Sequence, residues 1–254
     1  MFSLQGKVGL VVGIANESSI AWGCAKAFHE AGASLAVTYL NAKAEPHVKP
    51  LAERLGAPLF LPLNVEDPGA LESVFEAIAA KWGRLDFVLH SIAFAPRDDL
   101  HGRVTDVSRE GFMRAMDVSC HSFIRMAKLA EPLMKDGGTL LTMSYLGADE
   151  VVANYGVMGP VKAALQSTAR YLAAELGSSG IRVHAVSPGP LATRAASGIK
   201  DFDNLLEEAR LRSPLKRLVD IEDVGALCVY LASDGGRSLT GSTLFIDGGY
   251  NILA

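Results

Sequence analysis

The strongest constraint on this chain is a repeated change of pattern, in which short apolar runs alternate with longer stretches of helical character. Strands are expected at Val8–Val12, Ser34–Tyr39, Leu59–Leu63, Phe87–His90, Leu140–Met143, Arg182–Ser187 and Thr243–Ile246. Runs this short and apolar suit strands covered on both faces, the condition of a parallel sheet. Helices are expected between them, at Ile20–Ala31, Pro46–Leu55, Gly69–Trp82, Arg109–Met134, Val157–Leu176 and Ile221–Ala232. The alternation predicts an α/β fold: a doubly wound, seven-stranded parallel sheet flanked by helices. No Pro/Gly/Ser-rich linker, charge block or internal repeat divides the chain, so residues 1–254 read as a single domain.

Composition narrows the function classes. With 49% hydrophobic and 20% charged residues, the chain can build a sizeable core. A net charge of −4 argues against non-specific nucleic-acid binding. Cys24, Cys120 and Cys228 are odd in number and widely spaced, which predicts neither a disulfide framework nor a zinc site, and suits the reducing cytoplasm. The first apolar run, Val8–Val12, is too short for a signal segment or a membrane span.

The loops that follow the strands carry the chemistry. After the first strand, Gly13 permits a tight turn, and Ser19 and Ile20 open a helix whose N-terminus can face a phosphate. Ser19 can cap that helix or donate to the phosphate, and Gly23 permits close helix–strand packing. The spacing is not GxGxxG, so the segment alone reads equally as an ordinary connection. After the second strand stand Tyr39, Leu40 and Asn41, with no carboxylate to read a ribose and no Arg pair to clamp a 2′-phosphate; Lys43 is close by. Asn64 and Val65 follow the third strand, where the Asn can meet an adenine or cap a turn. Ser91, Ile92, Ala93 and Ala95 follow the fourth, small enough for the backbone to approach a flat ligand. Leu191 and Thr193 follow the sixth. Ligands of open α/β sheets bind at the carboxyl ends of the strands, so this succession predicts a cofactor cleft.

After the fifth strand, Tyr145 precedes a polar loop, and Tyr155 stands before an Ala-rich helix that carries Lys162, seven positions on. Pro160 places the start of that helix near Gly156, with Tyr155 at its mouth. A phenol and an ammonium on one face can stabilise a developing oxyanion; the same pair could be two residues on a solvated face. The helix is apolar on more than one side, which predicts burial of one face against the sheet and of the other either against a partner subunit or within the same chain.

Taken together, these motifs identify a resemblance. Gly13-x5-Ser19-Ile20-Ala21-x-Gly23, His90-Ser91-Ile92-x-Phe94-Ala95, Ser144-Tyr145-Leu146-Gly147-Ala148, Tyr155-x6-Lys162, and the segment from Leu191 and Thr193 through Ala195 to Phe202 resemble the short-chain dehydrogenase/reductase superfamily. Within it, they resemble the divergent branch of bacterial enoyl-acyl-carrier-protein reductases, which the six-residue Tyr–Lys gap marks. The similarity spans essentially the whole chain.

The resemblance implies a Rossmann-like domain and a cytoplasmic homotetramer of type II fatty acid biosynthesis, which reduces a trans-2-enoyl thioester carried by acyl carrier protein. It implies NAD as cofactor, with NADH preferred and NADPH possible. Tyr145, Tyr155 and Lys162 become the catalytic residues. The cofactor site is implied at Gly13, Ser19, Ile20, Leu40, Asn64, Val65, Ser91, Ile92, Ala93, Lys162, Leu191, Thr193 and Ala195. Substrate is implied at Ala95, Tyr145, Tyr155, Met158, Ala195, Ile199 and Phe202, under a lid over about residues 190–212. Three positions depart from the family pattern: Leu40 replaces a polar residue, Asn64 an Asp, and Ala93 a Gly. A basic cluster, Arg210, Arg212, Lys216 and Arg217, offers either an approach for an acidic carrier protein or a solvated face. Two other readings remain open: a carbonyl reductase or alcohol dehydrogenase of the same superfamily, which the Tyr–Lys spacing disfavours, and a catalytically idle nucleotide-binding protein.

Overall fold

The computed structural model describes residues 2–191 and 202–253. Strands β1 (Val8–Val12), β2 (Ser34–Tyr39), β3 (Leu59–Pro62), β4 (Phe87–His90), β5 (Gly138–Met143), β6 (Ile181–Pro188) and β7 (Thr243–Ile246) form one sheet in the order β3-β2-β1-β4-β5-β6-β7. Every neighbouring pair is parallel. Winding runs outward from β1 in one direction and from β4 in the other, so the crevice between β1 and β4 is the switch point where such sheets bind ligands.

Alternate strand residues feed two cores, as the two-residue repeat of a strand requires. Val11, Phe87, Leu89, Leu141 and Val186 pack beneath α1 (Ile20–Glu30), α2 (Glu45–Arg54) and α9 (Ile221–Ala232). Leu10, Val12, Val88, Leu140 and Val183 pack beneath α3 (Ala70–Trp82), α6 (Ser122–Ala130) and α7 (Met158–Leu176). A short helix, α4 (Arg97–His101), precedes α5 (Arg109–Met116), and α8 (Phe202–Arg212) precedes α9. α4 has too few apolar residues to stand out in the sequence, whereas α8 was missed although Phe202, Leu205, Leu206 and Ala209 recur at helical spacing.

Two expectations are corrected. The single helix expected at Arg109–Met134 is instead α5, a wide π-turn at Asp117–His121, then α6, which gives way to a tight turn at Glu131–Leu133 where Pro132 removes a backbone donor. Gly23 serves helix–helix rather than helix–strand packing: a Cβ there would sit 2.4 Å from the carbonyl oxygen of Ile221, because α1 crosses α9 at this point.

Candidate active site

The carboxyl ends of β1, β4, β5 and β6 open into a cleft of about 270 Å³. Gly13 sits at its floor with φ +116, and a Cβ there would lie 2.1 Å from the carbonyl oxygen of Ser91. Only glycine lets the loops after β1 and β4 meet across the switch point. Ser19 stands at the N-cap of α1, but its hydroxyl does not cap the helix. It donates to the carbonyl oxygen of Asn16 at 2.6 Å. That end of the helix is therefore left uncapped by any side chain, beside a cleft wall that includes Ala15, Ser19 and Ile20.

Lys162 projects from α7 into the same space and is 5% exposed. Its ammonium donates to the carbonyl oxygen of Met143 at the end of β5, 2.7 Å away. Burial pulls its pKa down from 10.5 to about 8. One turn along, the Gln166 amide donates to Ser144 Oγ and to Asp149 Oδ2, both at 3.0 Å, tying the loop after β5 to α7.

Tyr155 lies three residues before α7, flanked by the left-handed residues Asn154 (φ 62) and Gly156 (φ 51). These turns carry its ring into a small apolar cluster with Ala115, Val157, Met158 and Val161, against Tyr145 and Leu100. The Tyr145 and Tyr155 rings meet edge to face, with centroids 4.8 Å apart. Burial pushes both phenols above their ordinary pKa, so both keep their protons. The hydroxyl of Tyr145 is buried without a hydrogen-bond partner among the described residues. Such a group is costly unless something binds it.

Of the residues singled out from the sequence, the cleft gathers Gly13, Ser19, Ile20, Ser91, Ile92, Ala93, Ala95, Tyr145, Tyr155, Met158, Lys162 and Leu191. It does not gather Leu40, Asn64 or Val65. Leu40 is exposed beyond the end of β2. The Asn64 amide donates to Asp67 Oδ1 at 2.9 Å, and its oxygen accepts from the Glu66 N–H, so this side chain serves its own turn. Val65 is buried in the core, and its carbonyl accepts from Arg125. Thr193, Ala195 and Ile199, with the side chain of Phe202, lie outside the described residues.

Sequence reasoning missed Leu100 in the wall, and the role of the Met143 carbonyl. Pro188 and Gly189 line it as the end of the sixth strand predicts; Leu100 comes from the short α4, which gave no signal. The basic cluster after α8 is largely self-neutralised: Arg210 pairs with Glu207, Arg212 with Glu208 and Arg217 with Asp223, and Lys216 donates to the Leu211 carbonyl.

The site suits a nicotinamide dinucleotide: a glycine floor at the switch point, an uncapped helix end for a pyrophosphate, a buried ammonium and an unsatisfied buried hydroxyl. Comparison with known proteins agrees. A family model described as enoyl-(acyl carrier protein) reductase matches residues 13–251. The "Enoyl-[acyl-carrier-protein] reductase [NADH] 2" of Rhizobium meliloti is 48% identical over 99% of this chain and 94% of its own. The crystal structure of the Anaplasma phagocytophilum enoyl-(acyl-carrier-protein) reductase in complex with NAD superposes with a TM-score of 0.95 at 46% identity, covering 99% of this chain and 96% of that one. The Bacillus cereus enoyl-acyl carrier protein reductase, solved with NADP+ and indole naphthyridinone, gives 0.97 at 44% identity with both chains fully covered. The chain belongs to the enoyl-(acyl carrier protein) reductase family.

Proposed function

We propose that this chain reduces the trans-2 double bond of enoyl-acyl-carrier-protein thioesters with NADH, as a step of type II fatty acid biosynthesis. The observation that carries the reading is the convergence of two protonated phenols, Tyr145 and Tyr155, and one buried ammonium, Lys162, on a single cleft at the switch point. When bound, the nicotinamide cofactor would supply a hydride to the β-carbon, negative charge would develop on the thioester oxygen, and a proton taken up at the α-carbon, drawn ultimately from solvent, would complete the reduction. Tyr155 donates a hydrogen bond to that oxygen, and Tyr145 stands beside it as a second donor. Lys162 adds positive potential and holds the cofactor ribose. Donors fixed before the reaction lower the barrier without reorganising.

Gly13, Ser19, Ile20, Ser91, Ile92 and Ala93 hold the cofactor in this reading, with Leu191, Thr193 and Ala195 closing over it. Leu40 and the main chain at Asn64 and Val65 border its adenosine end, the Asn64 side chain being engaged in its own turn. Ala95, Met158, Ala195, Ile199 and Phe202 receive the acyl chain, under a lid over about residues 190–212. We further assign a homotetramer in the cytoplasm. Apolar side chains exposed on the single chain support the assembly: Tyr171 on α7, Phe112 and Met113 on α5, and Ile124 on α6. Three unpaired thiols, Cys24, Cys120 and Cys228, suit a reducing compartment.

The test is turnover. Purified protein should oxidise NADH when given crotonyl-CoA, and poorly or not at all with the matching 3-oxoacyl thioester. Faster turnover of the 3-oxoacyl substrate would replace this reading with a carbonyl reductase.

A further inference from the structure

The loop from Ser91 to Ala95 forms one wall of the cleft, yet no regular element contains it. Two buried serines of the π-turn region brace it, Ser119 directly at Phe94 and Ser122 through His90, the strand residue just before the loop. Ser119, fully buried, accepts from the Phe94 N–H at 2.9 Å and donates to the Phe94 carbonyl at 3.2 Å. One side chain thus satisfies both backbone groups of the loop residue, as a neighbouring strand would. Ser122, also buried, donates to the Val118 carbonyl at 2.7 Å. Its proton is therefore spent, and its oxygen must accept from His90 Nε2 at 2.9 Å. That assigns the His90 proton to Nε2 and leaves Nδ1 to accept from Thr142 Oγ1 at 2.8 Å. Burial and the nearby Lys162 charge lower the His90 pKa to about 3, so the ring stays neutral and both assignments hold at any working pH.

The chain Ser122–His90–Thr142 ends beside Met143, whose carbonyl anchors Lys162. From outside the cleft, the Arg114 guanidinium lies 4.5 Å over the Phe94 ring while forming a bidentate pair with Glu66. Ser119 lies within the wide π-turn at Asp117–His121 and Ser122 directly follows it, and π-turns are often found where function demands a local change of helical phase.

We propose that Ser119, and Ser122 acting through His90, are positioning residues that pre-form the Ser91–Ala95 wall for the cofactor and set its height against Lys162. The proposal rests on the reading of the cleft as a nicotinamide site. None of the three touches the reacting atoms; their contribution is to spare the bound state the cost of ordering this loop.

The test uses the full-length protein. Ser119→Ala removes both bonds to Phe94. In the cofactor-free protein, hydrogen exchange at the Phe94 amide should accelerate about tenfold, and the KM for NADH should rise about tenfold, the equivalent of roughly one hydrogen bond, while kcat changes less than about threefold. Ser119→Cys, nearly isosteric and a weak acceptor, keeps the test open if the alanine variant folds poorly; it should move both readouts in the same direction. His90→Leu should raise KM similarly, and His90→Gln, which keeps a donor and an acceptor, should restore it. Unchanged exchange at Phe94, a KM within twofold of wild type, or equal effects of His90→Leu and His90→Gln would overturn the proposal. If the wild-type protein itself proves inert towards NADH, the functional reading falls separately, and exchange at Phe94 still decides whether the serines hold the loop.

Discussion

Tyr145 and Tyr155 meet edge to face with ring centroids 4.8 Å apart, joining the loop after β5 to the entrance of α7. The two phenols are not equivalent, because the hydroxyl of Tyr145 is buried with no partner among the described residues. Tyr155→Phe removes an oxyanion donor and should lower kcat about 10²-fold. Tyr145→Phe removes an unsatisfied buried hydroxyl, which costs about 1–3 kcal/mol in the ligand-free protein. Its Tm should rise by about 3 °C or more while turnover falls. Melting curves alongside kinetics check both, and a lower Tm for Tyr145→Phe would show that the hydroxyl is satisfied in solution.

In the proposed reaction, the buried ammonium of Lys162 should produce an alkaline limb. Its folded pKa of about 8 lies below the ordinary 10.5. The unfolded state therefore binds the proton more tightly, and this group opposes folding most fully below about pH 8, with the opposition fading as pH rises from there towards 10.5. In the proposed reaction, activity should follow the opposite course, because the ammonium acts in its charged form. The value of kcat/KM for NADH should decline as pH rises through about 8. Neither phenol can supply this limb, since burial raises both. A profile flat to about pH 10 would remove Lys162 from the charged role.

Cofactor preference turns on the end of β2. Leu40 is 55% exposed there, and Asn41 spends its side-chain oxygen on the N–H groups of Lys43 and Ala44. Among the described residues no pair of Arg side chains follows β2 to clamp a 2′-phosphate, so kcat/KM should favour NADH over NADPH. Leu40→Arg should narrow the gap by about tenfold or more, one charge-assisted hydrogen bond being worth roughly 1.5–3 kcal/mol. Lys43 is exposed and could serve a phosphate already; a wild-type preference for NADPH, lost in Lys43→Ala, would reverse the assignment.

Gly23→Ala should cost stability, because the new methyl meets the backbone carbonyl of Ile221, 2.4 Å from the ideal Cβ position, with no flexible side chain to yield. Overpacking of this kind costs about 1–3 kcal/mol. Chemical denaturation of the two proteins measures it, and equal midpoints would mean that α1 and α9 separate freely.

The sequence alone determined the sheet, the main helices that cover it and most of the cleft, for a plain reason. Strands buried on both faces must be apolar throughout, so their ends are visible, and in a parallel sheet those ends are where ligands bind. Gly13, Ser91 to Ala93 and Tyr145 were therefore legible from position, whereas Lys162, on α7, was singled out only by its spacing from Tyr155 and by the family resemblance. Assigning the seven-residue Tyr155–Lys162 interval to an enoyl reductase came from family resemblance. What tertiary structure decided were the partners of polar atoms. Whether Ser19 caps its helix, and whether Asn64 faces a ligand or its own turn, depend on hydrogen-bond competition that no local pattern records. The same holds for the pairing of Arg210, Arg212 and Arg217 with nearby carboxylates, and for the link from Ser122 through His90 to Thr142, whose members come from α6, β4 and β5. Apolar burial is written into composition and period; a hydrogen bond between residues distant in the chain exists only once the fold has brought them within 3 Å or so of each other.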